Sequence, residues 1–561
     1  MPERILVAVA WPYANGSIHL GQAAGAYLPA DIFARYHRLK GNDVAMVSGS
    51  DSHGTPVTLA AENRGVSAEV VVAEYHAEFL DNWKRLGISF DLFTSTHTEN
   101  HHAVAQDVFL RLLKNGYIYK DTMSQPYCEK DSRFLADRYV GGRCPHCNFD
   151  GARGDQCDNC GRTLDPEDLI GMACRLCGSL PVIRETEHFF LKLSAFESKL
   201  LEWARKQTHW RANVANFTVS YLEGGLHDRA ITRDIEWGIP VPLDGYDGKR
   251  IYVWFEAVIG YLSATKEWGA AMGDENRWRD FWQKECRAYY FMGKDNIPFH
   301  TVIWPAMLLG YGGLNLPFHV PANEYLNLEG EQFSTSRNWA VWLPEYLDRY
   351  EPDPLRYVLT ATMPETSDSD FSWTEYVRRN NDELVATYGN LVHRILTMSY
   401  RNFDGRVPEP GHLGETDSKL LDEAKTRFDE TASNIEACRF RAGLNSAMSL
   451  AQEANRYLDY KAPWKSIKLD RMEASTTLWI GLAIVNCLKT ALYPFLPFSA
   501  EKLNTMLGFE ESVASTGWSW TENGLPAGQI LNEPKPLFAK LDEAVVEQET
   551  NKLTSGNRSP S

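Results

Sequence analysis

Trp11-Pro12-Tyr13-Ala14-Asn15-Gly16-Ser17-Ile18-His19-Leu20-Gly21-Gln22 decides the fold of this chain. It follows Ile5 to Ala10, a run short, apolar and β-branched enough for a buried strand, and it precedes a helical pattern from about Gln22 to Lys40. The stretch is therefore a strand-to-helix turn. Gly16 and Gly21 let backbone approach a ligand closely. The open N–H groups at the start of the helix suit an anion, and His19 adds a side-chain donor at the same mouth. At the end of the first strand of an α/β sheet, such a turn reads as a nucleotide-phosphate site. The plainer alternative is an ordinary βα connection with a surface histidine.

Outward from this turn, residues 1–116 alternate strand and helix patterns, as a parallel sheet requires. Val44 to Val47 is the second strand, and Ser48-Gly49-Ser50-Asp51-Ser52-His53-Gly54 follows it, at the end of the sheet where ligands bind. Asp51 there suits a substrate ammonium group, or caps a turn. The sheet pattern resumes at residues 230–325. Tyr252 to Tyr261 is aromatic and apolar, with Trp254, Ala257 and Tyr261 on nearby helical faces, a stripe that by itself is plain core. Phe291-Met292-Gly293-Lys294-Asp295-Asn296 follows another strand-like run, and Asp295 is placed to hold ribose hydroxyls.

Seven of the ten cysteines lie between Cys128 and Cys177, in the segment 117–229 that interrupts the sheet pattern. Clustering of this kind in a cytosolic chain points to metal rather than disulfides. Cys144-x2-Cys147 and Cys157-x2-Cys160 supply two thiolates each, enough to close a tetrahedral structural zinc site. Cys174-x2-Cys177 has a mate in Cys128 and Asp131, a weaker site of three thiolates and one carboxylate that is either occupied or empty. Cys286, Cys438 and Cys487 read as core.

A segment at 326–374 contains Gly330-Glu331-Gln332-Phe333-Ser334-Thr335-Ser336-Arg337, and residues 375–548 are helical throughout, an α-bundle. Asn390 and Arg394 lie one turn apart on an early helix of that bundle. Ala462-Pro463-Trp464 leaves an aromatic near a helix tip, where it either packs in the core or stacks on an unpaired base. Residues 549–561 are polar and read as a disordered tail.

In bulk, 561 residues hold several domains. A hydrophobic content of 44% and a charged content of 23% are those of a soluble globular protein. The net charge of −17 argues against a broadly basic nucleic-acid binder, and clusters such as Arg378-Arg379 are weak candidates for a basic groove. No signal peptide is evident, and the apolar run Leu478 to Phe498 is interrupted by Asn486, Lys489 and Pro494, which fits a buried helix better than a membrane span. A cytoplasmic protein is expected.

His19-Leu20-Gly21-Gln22 resembles the "HIGH" signature of class I aminoacyl-tRNA synthetases, and the Pro-Tyr-Ala-Asn-Gly-Ser-Ile-His context around it resembles the methionyl branch of that family. Residues 330–337 occupy the place of the family's mobile "KMSKS" loop. The resemblance runs in motif order from residue 4 to about 545. It implies an α/β fold: a Rossmann-like catalytic domain split by a zinc-bearing insertion, a connecting segment, and an all-α anticodon-binding domain. It implies two steps, in which L-methionine and MgATP give methionyl-adenylate and the aminoacyl group then passes to tRNA(Met). It assigns the methionine site to Trp11, Tyr13, Asp51, Trp254, Ala257, Tyr261 and His300. The ATP site falls to His19, Gly21, Gln22, Gly293, Asp295, Phe333 and Ser334, and the anticodon site to Asn390, Arg394 and Trp464. The catalytic positions are His19, Gln22, Gln332, Thr335 and Arg337.

Three of these positions depart from the signatures. Gln22 replaces a histidine, and Gln332 and Thr335 replace the two lysines, so Arg337 is the loop's only cation. Since the reaction needs no protein nucleophile, catalysis is positioning and charge stabilisation, so either Arg337 or Lys294 compensates and the enzyme is ordinary, or adenylation is weakened. Two rival readings remain: a synthetase-like enzyme with a small-molecule acceptor, and a silent tRNA-binding protein. The family's dimers often use an extra C-terminal module, so a monomer is expected.

Overall fold

The computed structural model describes residues 2–135, 139–154, 157, 159–160, 162, 164, 166–335 and 337–556. Its central sheet has four parallel strands, β1 (Arg4–Val9), β2 (Asp43–Ser50), β3 (Leu92–Ser95) and β4 (Arg287–Phe291), in the order β4-β1-β2-β3. Ile5 of β1 registers with Val44 on one side and Arg287 on the other. The chain steps outward through β2 and β3 and returns on the far side of β1 as β4. The ligand crevice of such a sheet opens at that reversal, outside the carboxyl ends of the strands.

Ile5 to Val9 are fully buried. Both faces of β1 are covered, which is why the sequence is continuously apolar rather than alternating. Ile5, Val7 and Val9 join a core that runs on into the C-terminal helices, while Leu6 and Ala8 pack in a second core with Ile259, Leu262 and Trp304. After the turn the chain enters a short helix, Leu20–Gln22, a π-helical turn, Ala23–Tyr27, and the helix Leu28–Leu39.

The insertion is an antiparallel ribbon, Ile118–Cys128 against Val182–Leu191, whose far end carries short strands and the cysteine turns. That end docks back beside the crevice. Tyr139 donates to Thr58 Oγ1 at 2.8 Å, and Arg133 pairs with Glu62 at 3.0 Å, both on the helix Thr55–Arg64.

The helical domain packs Asn390–Asn402, Glu415–Glu436, Phe440–Lys461 and Arg471–Leu492 around one interior. Arg471–Leu492 is the one helix among the described residues long and apolar enough to cross a membrane, and its apolar window is wholly buried in the bundle. Arg356 joins the two parts of the molecule. Fully buried, it donates to Asp31 Oδ2 at 2.7 Å on the helix Leu28–Leu39 and to the carbonyls of Pro494 and Phe495, both at 2.8 Å, at the end of the bundle's central helix.

The expectation of a disordered tail from residue 549 is corrected over its first part. The helix Ala544–Gly556 continues through it, Leu553 is buried, and Glu549 accepts from Arg349 and Tyr350, both at 2.9 Å. These docked contacts offset the polar composition. Residues 557–561 of that expectation lie outside the described residues.

Candidate active site and tRNA-binding surface

The two signature segments meet. Leu20 N donates to Val341 O at 3.1 Å and Leu343 N to Ile18 O at 2.7 Å, which brings the loop after residue 330 against the turn after β1. Phe333 then stacks on His19, with ring centroids 4.8 Å apart and planes within 11°. A Cβ on Gly21 would lie 3.0 Å from the His19 ring and 3.2 Å from Phe333, so glycine is what lets the two rings close over the backbone. Burial lowers the His19 pKa to about 4, so the ring is neutral near pH 7 and acts as a hydrogen-bonding group rather than a cation. Gln22 Oε1 accepts from His19 N at 3.0 Å and fixes the helix start.

Of the loop residues, Gln332, Thr335 and Arg337 are exposed. Gln332 pairs with Asn327 across a hairpin turned by Glu329 and Gly330, both at positive φ. Arg337 faces Glu331 at 3.6 Å, a carboxylate of its own loop, and no ion pair joins it to the first signature among the described residues. Lys294, the nearest other cation in the sequence motifs, is held by Glu324 at 2.8 Å and Asp368 at 2.9 Å. Asp295 accepts from the Tyr325 hydroxyl at 2.5 Å, beside Gly293, which bridges to Asn323.

The predicted methionine residues converge at the ends of β1 and β2 and on the helical stretch from Val253. Backbone bonds from Asp51 N to Pro12 O, 2.7 Å, and from Ala14 N to Asp51 O, 2.9 Å, tie the two strand ends together. Tyr261 donates to His300 Nε2 at 2.7 Å, because His300 Nδ1 donates to Asn296 O at 2.8 Å. Trp254 Nε1 donates to the Tyr13 hydroxyl at 3.1 Å, and its ring meets Phe299 edge-on at 5.0 Å. Ala257 is half-buried, and Trp254 remains 39% exposed, so this stretch reaches the surface.

Trp11 is accommodated by two glycines. A Cβ on Gly49 would lie 2.3 Å from its ring and one on Gly260 2.7 Å, so the indole occupies space that side chains would otherwise fill. Asp51 is buried with no cationic partner among the described residues. Burial first, and then the carboxylate of Glu256, raise its pKa well above the usual range.

Glu256, hidden in an aromatic run, carries no motif that singles it out in the sequence. It is fully buried and accepts from His53 Nδ1 and His101 Nε2, both at 2.8 Å. Burial lowers the pKa of His53 to about 3 and that of His102 to about 4. The only sequence signal is position: His53, His97, His101 and His102 follow β2 and β3, where ligands gather.

At the far end of the helical domain, Arg394 lies over the Trp464 ring, 4.9 Å from its centroid, and pairs with Asp459 at 2.9 Å. Trp464 is 39% exposed, presented after Ala462 turns through a left-handed φ of 45°. Asn390 is exposed one turn before Arg394. By contrast, Arg378 and Arg379 are bound up with Glu375 and Glu383 and form no open basic patch.

The sulfurs of Cys144, Cys147, Cys157 and Cys160 lie within 4.8 Å of one another, with Cys147–Cys157 at 3.5 Å and Cys144–Cys160 at 3.9 Å. A tetrahedral zinc with Zn–S of ~2.3 Å sets its sulfurs ~3.8 Å apart, so this cage fits the ion. Cys128, Asp131, Cys174 and Cys177 converge in the same way, with Asp131 Oδ2 3.1 Å from Cys128 and 3.2 Å from Cys174.

A family profile described as tRNA synthetases class I (M) matches residues 5–396, and one described as the anticodon binding domain of methionyl tRNA ligase matches 407–559. The chain belongs to the methionyl-tRNA synthetases. Methionine–tRNA ligases of Dehalococcoides mccartyi and Thermomicrobium roseum are 57% and 54% identical to it, covering 99% and 100% of this chain and the whole of their own. A Mycobacterium tuberculosis methionyl-tRNA synthetase solved in complex with methionyl-adenylate superposes with a TM-score of 0.79 at 28% identity, covering 96% of this chain and 99% of its own. As a methionyl-tRNA synthetase, the chain is a ligase with a class I catalytic domain and a helical anticodon domain, and its cysteine cluster is able to hold zinc.

Proposed function

We propose that this synthetase activates L-methionine with MgATP and charges tRNA(Met), and that adenylate formation is its slow step. One observation carries the second half. Of the two cations that could replace the loop lysines, Lys294 is held between Glu324 and Asp368, and Arg337 lies exposed on the loop facing Glu331 at 3.6 Å. The phosphates therefore meet a neutral His19, the amides of Gln22 and Gln332, and the hydroxyls of Ser334 and Thr335. These groups donate hydrogen bonds but bring no positive charge, which leaves Arg337, shared with Glu331, as the loop's one cation. Positioning remains intact, while the charge stabilisation of the departing pyrophosphate is reduced.

In this reading the methionine ammonium group enters the space at Asp51 as the counter-charge that the buried carboxyl lacks. The thioether packs among Trp11, Tyr13, Trp254, Ala257, Tyr261 and His300, where sulfur–ring contacts are worth ~0.3–1.5 kcal/mol each. Neutral His300 offers no charge that would favour a polar side chain over an apolar one. Asp295 takes the ribose hydroxyls beside Gly293. Trp464 and Arg394 stack on and hydrogen-bond to unpaired anticodon bases with Asn390. The four-cysteine cage, and the cage of three cysteines and Asp131, would hold structural zinc that shapes the insertion. We place the chain in the cytoplasm as a monomer.

Rapid-quench measurement of a single turnover tests the reading. Adenylate formation is expected to be slower than transfer to tRNA, and a transfer step slower than adenylation would overturn it. Pyrophosphate exchange without charging would favour a small-molecule acceptor, and tRNA binding without exchange would favour a silent binding protein.

A further inference from the structure

We infer that His53, His97 and His102 form a third metal site, for a divalent transition-metal ion of the zinc type, distinct from both cysteine cages. The three rings come from two strand ends. His53 lies just after β2, and His97 and His102 lie after β3, on either side of the start of the helix Glu99–Lys114. Their ligating nitrogens all lie within 4.8 Å of one another, and the His53 and His97 rings stand 5.3 and 5.5 Å from His102. A hydrogen bond from His97 Nδ1 to His53 Nε2, at 3.0 Å, accounts for two of the rings. It does not account for the third, since His102 Nε2 is buried without a partner among the described residues. A tetrahedral ion at Zn–N of ~2.0–2.1 Å separates its nitrogens by ~3.3 Å, so a slight opening of the His53–His97 pair and an inward shift of His102 complete the site.

The surroundings are those of a metal centre. His53 Nδ1–H donates to Glu256 Oε1 at 2.8 Å, which fixes the tautomer and turns the Nε2 lone pair toward His97 and His102. A buried carboxylate behind a ligating imidazole is the usual outer support of such sites. His101 holds the other oxygen of Glu256 at 2.8 Å, and Trp237 packs on one face of the exposed His97, with centroids 4.5 Å apart. Imidazole donors suit zinc, copper and nickel rather than magnesium or calcium. When the ion enters, the His97 Nδ1 proton leaves to solvent and Nε2 takes one up, so the ring stays neutral and no net proton is released. Three neutral imidazoles leave a fourth position for water. The ion would pin the segment carrying Asp51 to the segment after β3.

Cobalt titration of the full-length protein, its cysteine cages first filled with zinc, tests the assignment. One further equivalent is expected, with visible d–d absorption and no thiolate-to-cobalt charge-transfer band. His97→Ala and, separately, His102→Gln should each weaken that equivalent by about 100-fold and leave the cysteine-bound zinc unchanged by elemental analysis. The site is absent if wild-type protein takes up no such equivalent at micromolar cobalt. It is wrongly assigned if both substitutions leave the equivalent in place.

Discussion

Replacing Gln332 by lysine should accelerate methionine-dependent pyrophosphate exchange. Gln332 is exposed on a hairpin and pairs with Asn327 through backbone, so the substitution leaves the fold intact. A unit charge ~4 Å from a phosphate oxygen is worth ~1 kcal/mol in bulk water and ~4 kcal/mol at the effective dielectric of a protein surface. Glu331 adjoins the new ammonium group and already faces Arg337 at 3.6 Å, so it takes part of the gain. An intermediate value of ~1.4–2.8 kcal/mol corresponds to a rise of about 10- to 100-fold in the exchange rate. Glu331→Gln in the same background should raise it further. The assay is exchange at saturating methionine and ATP, with KM measured for each. The methionine KM should stay constant, because Gln332 pairs with Asn327 and not with a residue of that pocket. A rise below twofold would refute the reasoning. So would a change confined to the KM for ATP, which would mean the lysine binds ground state and transition state alike.

Asp51→Asn should lower kcat/KM for methionine by about 10- to 150-fold, the worth of a charge-assisted hydrogen bond of ~1.5–3 kcal/mol, with the ATP KM little changed in the same exchange assay. Trp464→Ala should cost ~1–3 kcal/mol in kcat/KM for tRNA, the value of one stacked base, and leave exchange without tRNA at the wild-type rate. Cys157→Ser should remove one equivalent of zinc by elemental analysis and expose the insertion to limited proteolysis. Acid stability should depend on Asp31. Burial opposes its ionisation, but Arg35, Arg356 and Ser89 overcome this and hold the pKa at about 2, below its ordinary value of 3.8. A depressed carboxyl stabilises the fold above its unfolded pKa and loses that contribution as pH falls from about 4 to about 2. Asp31→Asn should therefore flatten this part of the acid-unfolding curve and, at pH 7, cost ~3–5 kcal/mol by leaving Arg356 buried without its partner.

The sheet is legible in the sequence because β1 is apolar at every position and its turn residues are distinctive. Asp51, Trp254, Tyr261 and His300 can be located from motif order. Their bonding cannot, since Tyr261 and His300 lie far apart in sequence and meet only when the helical stretch packs on the sheet. Trp11 is large for its place, and Gly49 and Gly260 make the room; glycines do not advertise what they leave space for. Counting charges in the loop identifies the missing lysines but not the pairing of Arg337 with Glu331, which depends on the hairpin turn. The residues after 548 read as disordered because their composition is polar. Their order comes from Arg349 and Tyr350, some two hundred positions earlier, which no local pattern encodes.

Arg356 makes the two ends of the molecule mechanically one. Its guanidinium binds a carboxylate from the first helix layer and carbonyls from the last, and one apolar interior runs from Ile5 to Leu553 around it. In the proposed reading, this shared interior ties the amino-acid site to the helical domain that carries Trp464. A span held in that way would make the reach of a nucleic acid, and not its bases alone, a criterion of selection.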